Sequence, residues 1–175
     1  MDLSRQADEP TTATVAEAPR RSAIVARAVT TSLLALFVLA GLFGLLGERS
    51  SLVSAADGSR ELALTYPAVV RAGMNAPWQI ELRDPAGLPQ QVDLEIDASY
   101  FDLYEHQRFY PEPAEESRHG DIHVMTFDTG GETSLVITHD AYVQPRYSAS
   151  RSGSITYATP GQPSLAVQFR TVVLP

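Results

Sequence analysis

Between Arg27 and Glu48 the chain carries twenty consecutive residues without a charge, AVTTSLLALFVLAGLFGLLG. As a helix rising 1.5 Å per residue, such a run spans about 30 Å, the thickness of a bilayer's hydrocarbon core. A soluble protein would have to cover that helix on every side, and nothing else in the sequence has a helical period able to supply the cover. Residues 28–47 are therefore read as one transmembrane helix in contact with membrane lipid. Arg20, Arg21 and Arg27 precede the run, whereas Arg49 and Arg60 follow it among Glu48, Asp57 and Glu61. Positive residues are retained on the cytoplasmic side, so the expected protein is single-pass in the cell membrane, N-terminus inside and C-terminal domain extracytoplasmic.

A cleaved signal peptide is the competing reading, with Val53-Ser54-Ala55 as its small-residue cleavage site. Its apolar region would be longer than usual and its leading segment long and acidic, which favours an uncleaved signal anchor. Gly41, Gly44 and Gly47 recur every third residue, and Ala40 with Gly44 forms a small-xxx-small pair of the kind that lets two helices approach. Self-association through the helix is accordingly one expected partnership.

The flanks differ in kind. Residues 1–27 hold four acids and four arginines with few bulky apolar side chains, and read as a disordered cytoplasmic tail. Residues 48–59, rich in serine with Gly58, read as a flexible tether. All of the net charge of −8 thus falls beyond the apolar run. Asp93–Asp140 carries twelve acids against Arg108 and Arg118, while Ala141–Pro175 carries Arg146, Arg151 and Arg170 and no acid. An acidic middle with a weakly basic end lacks the clustered positive charge that a nucleic-acid partner requires. Cysteine is absent, which excludes disulfides and thiolate chemistry.

From residue 60 to 175 the dominant period is two. Leu62, Leu64 and Tyr66, then Trp78, Ile80 and Leu82, then Val92, Leu94 and Ile96 alternate with polar or small residues. Ile122/Val124, Leu135/Ile137 and Ile155/Tyr157 continue the pattern, and Leu165–Val173 makes a long last strand. Pro67 is expected to end the first of these strands. Turn residues punctuate the rest at Arg71–Asn75, Asp84–Pro89, Asp128–Glu132 and Pro160–Pro163. About seven short antiparallel strands at this spacing predict an all-β sandwich, with a small barrel as the other architecture of similar pattern. The expected core is Leu62, Leu64, Trp78, Ile80, Leu94, Ile96, Val124, Val167 and Phe169.

The stretches LTYPAVVRAGMNAPWQIELRD, QQVDLEI and SLAVQFRTVV resemble immunoglobulin-like or fibronectin type III-like modules of bacterial envelope proteins. The resemblance covers roughly Glu61–Val173 and implies an immunoglobulin-like sandwich without the Cys…Trp…Cys core. A fold of this kind hosts many functions and assigns none by itself.

Two segments carry candidate chemistry. His119-Gly120-Asp121-Ile122-His123 places two imidazoles and a carboxylate at alternate positions, a pattern with metal-ligating residue types, and His106 or His139 would be a further ligand. On a straight strand the outer pair lies about 13 Å apart, so a metal would need a bend at Gly120. Tyr100–Pro113 carries Tyr100, Phe101, Tyr104, Phe109 and Tyr110 interleaved with acids, and Tyr142 and Tyr147 flank Pro145. Tyrosines combine an apolar face with a polar tip, so Tyr100, Tyr104, Phe109, Tyr110 and Tyr142 are the candidate interaction surface, against the alternative that they complete the core. No nucleophile elbow, glycine-rich phosphate loop or Rossmann pattern occurs, and neither an enzyme nor a cofactor is expected. The expected function is a membrane-anchored extracytoplasmic interaction or accessory module that meets another envelope or membrane protein. A domain binding a small ligand or divalent metal is the alternative, and a structural spacer the third option.

Overall fold

A proline sets the architecture. In the computed structural model, which describes residues 21–43, 47–146, 149–159 and 161–175 (excluding the side chains of His106 and Gln107), strand β2, Arg60–Arg71, runs straight through Pro67. Before the proline, Glu61–Thr65 pair antiparallel with β3, Trp78–Arg83. After it, Val69–Arg71 pair parallel with β10, Leu165–Leu174. Proline has no N–H to donate, so a strand that must exchange one partner for another loses least by doing so there. The freed Pro67 carbonyl accepts a hydrogen bond from the Thr171 hydroxyl at 2.7 Å.

The remaining strands are β1 Arg49–Asp57, β4 Gln91–Asp97, β5 Tyr104–Tyr110, β6 Glu115–His119, β7 Ile122–Asp128, β8 Ser134–Val143 and β9 Ser150–Ala158, with a 3-10 turn at Ala98–Leu103. One curled sheet runs in the order β5-β8-β3-β2-β10-β9-β4-β7-β6, with β1 added on β2. Because β2 belongs to both halves, the sheet folds over and packs β5-β8-β3 against β10-β9-β4-β7. Rings meet across the gap: Trp78 and Phe169 have centroids 6.2 Å apart, and Phe109 and Phe127 are separated by 6.4 Å.

The all-β expectation holds, and its count and topology are corrected. Among the described residues there are ten strands rather than seven, in one folded sheet with a parallel pair, which departs from a seven-strand antiparallel sandwich. The three unforeseen strands are β1, β5 and β6. Residues 48–59 are largely strand, not tether: Ser50–Asp57 pair with Pro67–Arg60, and Val53 and Ala55 pack against the core. Of the expected core residues, all are buried except Val124, which is half-buried while its neighbours Met125 and Phe127 face inward. The predicted turns fall in place, with Gly73, Gly87, Gly130 and Gly131 at positive φ.

The N-terminal unit is helix α1, Arg21–Leu42, which has no buried residue and is long and apolar enough to cross a membrane. It starts ahead of Ala28, because Arg21–Arg27 contains no glycine or proline to stop it. The Thr31 hydroxyl donates to the Arg27 carbonyl at 2.9 Å, satisfying itself within the helix. The tail up to residue 20, Gly44 of the small-residue pair, and Tyr147 lie outside the described residues.

Candidate functional site

The aromatic segment divides between inside and outside. The 3-10 turn and β5 carry Tyr100, Phe101, Leu103, Tyr104 and Phe109 into the core. Tyr100, Tyr104 and Phe109 are thus buried, with little ring surface left for a partner. The hydroxyls of Tyr104, Tyr100 and Thr171 form a directed chain. Thr171 gives its one proton to Pro67, Tyr100 lies 2.8 Å from Thr171, and Tyr104 lies 3.0 Å from Tyr100. Each hydroxyl has a single proton, so Tyr100 donates to Thr171 and Tyr104 to Tyr100. Burial pushes both tyrosines above their usual pKa, keeping them neutral donors. The chain ties the aromatic segment to the point where β2 changes partner.

His139 sits among these rings. Its imidazole centroid is 4.4 Å from Phe109, 4.5 Å from Trp78, 5.4 Å from Tyr104 and 5.8 Å from Phe101. Loss of solvent holds its pKa down to about 3, so it is neutral at physiological pH and belongs to the packing. A sequence reading could place it inward only through its spacing from Ile137 on β8.

Tyr110 and Tyr142 are the candidates left outside, with 78% and 37% of their surface exposed. Tyr110 pairs with Thr138, and Arg108 pairs with Asp140. Directly opposed residues share a face of an antiparallel pair, and alternate residues return to it. Tyr110, Arg108, Asp140 and Tyr142 accordingly lie on one outward face of β5 and β8.

The histidine cluster does not assemble. β6 and β7 form a hairpin that turns at Gly120, φ +63°, so that Arg118 pairs with His123 and His119 with Ile122. His119 and His123 therefore point to opposite faces, whereas a straight strand would have aligned them. Among the described residues there is no group of three or more metal-ligating side chains. His123 instead reaches Glu116, Nε2 to Oε2 at 3.4 Å, and its ring lies 5.3 Å from Phe101. Asp121 is exposed in the turn, His139 is enclosed, and the His106 side chain is outside the described set.

Concavities also mark the described outer surface of the β domain. A cleft of about 320 Å³ is lined by Arg108, Phe109, Glu112, Pro113, Glu116 and His123. A wider groove of about 520 Å³ crosses Asp97, Ser152, Ser154, Gln168 and Arg170. Along β4, Asp93, Glu95 and Asp97 alternate with the buried Leu94 and Ile96 and so face outward. Asp93 accepts from the Thr126 hydroxyl at 2.6 Å and Asp97 from the Ser154 hydroxyl at 3.0 Å. Neutral donors orient these carboxylates without cancelling their charge, and the face stays acidic.

These features define an all-β domain of one curled sheet, preceded by one apolar helix, with a packed aromatic centre and polar outer faces. No family profile matches the chain, and no curated protein matches it. Among solved structures it is similar to the CARDB domain of a Pyrococcus furiosus protein determined in complex with di-metal ions. That likeness has a TM-score of 0.39 and 11% identity, covering 71% of this chain and 93% of that one. Nothing about this chain's ligands follows from it.

Proposed function

We propose that the protein is an accessory module held in a cell membrane by an uncleaved signal anchor, displaying its β domain outside the cytoplasm to another envelope protein. The carrying observation is the outward face of β5 and β8, where two exposed tyrosines flank an opposed Arg108 and Asp140. Tyrosine and arginine are the residue types most often found at energetically dominant interface positions. The helix supports anchoring by its length and apolarity, and the arginines before it favour an inside N-terminus. Cleavage near Ala55 would cut within β1, whose Ala55 pairs with Leu62, so the strand itself argues for retention. Anchored by the helix, the domain would be confined to the surface of one membrane. Membrane partners would then meet the domain at raised effective concentration.

An immunoglobulin-like relationship is part of this reading. One half of the sheet runs β2-β3-β8-β5, which corresponds to the A-B-E-D order, and β4-β9-β10 corresponds to C-F-G. The departure is that β5 precedes β6 and β7 in the chain, where the variable-type pattern adds its extra strands before D. Binding rather than catalysis is favoured by His139, a neutral caged imidazole that is a poor general base. A second reading, recognition of a small ligand, is favoured by the cleft beside Phe109 and His123.

The test is crosslinking of the full chain in its native membrane, wild type against Tyr110→Ala/Tyr142→Ala. Both side chains are on the surface, so the variant should fold, and recovery of the partner is expected to drop at least about tenfold. Recovery unchanged by the double substitution would remove this face from consideration.

A further inference from the structure

The folded sheet meets itself at a seam. β5 ends one half and the β6–β7 hairpin ends the other, and the segment 111–114 crosses between them. The cleft of about 320 Å³ lies at that crossing, at the small end of the roughly 300–1,000 Å³ range of small-molecule sites. Phe109 and Pro113 form its apolar strip. The Phe101 ring backs that strip, 6.0 Å from Phe109 and 5.3 Å from His123. Charges stand around the strip without cancelling one another, for Arg108, Glu112 and Glu116 all line the cleft. Among the described residues Arg108 and Glu112 take part in no ion pair or side-chain hydrogen bond. Glu116 meets His123 at 3.4 Å through Oε2, which leaves its second oxygen able to accept from elsewhere.

The backbone fixes where these groups stand. Pro111 and Pro113 bracket Glu112, and a proline sets its own φ and restricts the residue before it. The Ala114 N–H donates to the Thr126 carbonyl at 2.8 Å, which holds the crossing on β7. Glu116 pairs with the buried Met125 and so occupies an inner position of β6, where alternation ordinarily puts an apolar side chain. We propose that the cleft binds a basic amino acid, a diamino monocarboxylic acid of lysine's kind. Two carboxylates, one guanidinium and an apolar strip match its two ammonium groups, one carboxylate and carbon chain. The Arg108 guanidinium takes the ligand carboxylate in a two-pronged hydrogen bond, and Glu112 and Glu116 take the ammonium groups. Among the described residues no three histidine or carboxylate side chains converge as a metal site, so the cleft suits charges spread along a ligand rather than a single ion. The proposal rests on the small-ligand reading of this cleft and asks nothing of Tyr110 or Tyr142.

NMR shift titrations of the full-length protein in detergent test it, at about pH 8, where an ordinary imidazole is neutral. Lysine is compared with cadaverine, which lacks the carboxylate, with ε-aminocaproate, which lacks the α-ammonium, and with norleucine, which lacks the side-chain ammonium. Glutamate, with the opposite side-chain charge, is the last probe. Lysine should bind with a Kd below about 1 mM, and each analogue missing one charge at least about tenfold more weakly. Arg108 and Glu112 are exposed, so their variants should fold. Arg108→Gln should weaken lysine by about tenfold and leave cadaverine no weaker, whereas Glu112→Gln should weaken both. A merely structural effect would not separate the two ligands. Lysine no tighter than its analogues, or an Arg108→Gln protein that binds lysine as the wild type does, overturns the proposal. Glutamate bound in place of lysine overturns the ligand class and leaves a small-ligand cleft standing. No shift at the cleft with any of these probes removes both.

Discussion

His139 shows how far a single residue's surroundings can outweigh its type. Spacing within a histidine-bearing segment makes it a candidate ligand, yet the rings of Trp78, Phe101, Tyr104 and Phe109 enclose it. Its pKa is about 3 when folded and near 6.5 when unfolded, so below pH 6.5 the unfolded chain binds the extra proton. Its stabilising contribution is therefore complete above pH 6.5 and declines as pH falls toward 3. Between pH 7 and 5 the loss is about 2 kcal/mol. Urea unfolding of a 47–175 fragment should show that slope in the wild type and a slope shallower by that amount in His139→Gln. Identical slopes would mean the ring is solvated. Gly153 carries a second prediction at this scale. A Cβ there would lie 2.9 Å from Phe169 Cζ and 3.1 Å from Tyr100, both buried rings, so Gly153→Ala should cost about 1–3 kcal/mol in the same assay. At the residue scale the alternation was legible wherever one face of a strand is apolar and the other polar, as at Leu62/Leu64 and Ile80/Leu82. It failed at β7, IHVMTFD, where apolar residues occupy both parities and Met125 and Phe127, not Val124, turn inward.

Elements were legible in proportion to how deeply they are buried. β1, β5 and β6 are the edge strands, and an edge strand takes much of its stability from one neighbour rather than from an apolar face of its own. β1 is mostly serine and alanine, a composition that also describes a linker. β6 is polar at every position, so it carries no alternation to detect. The same reasoning explains the metal-like pattern: His119 to His123 was read along one strand, but a hairpin turn at Gly120 divides it. Pro67 was read as a terminator because proline disfavours ladders, and it instead marks the partner exchange within β2. Strand status for β1 is testable by amide hydrogen exchange on the full chain. At least every second amide from Ser50 to Asp57, those facing β2, should be protected as strongly as its partners in Arg60–Pro67. Exchange of the whole segment at free-chain rates would return it to a tether.

For the whole molecule, the division into an apolar helix and an all-β domain is the part most plainly written in the sequence, since twenty uncharged residues and a period of two are each hard to mistake. What the sequence hid was which aromatic rings serve packing and which serve contact, because Tyr100 and Tyr110 differ in burial and hardly at all in local composition. Display of the domain on the outer side of a membrane is the central claim, and membrane sidedness tests it most directly. A reporter active only outside the cytoplasm, fused after Pro175 in one strain and ahead of Met1 in another, should be active only in the first. The C-terminal fusion should also sediment with membranes at full length. Activity from the N-terminal fusion alone, or a soluble C-terminal product about 6 kDa lighter at roughly 110 Da per residue lost, would contradict it.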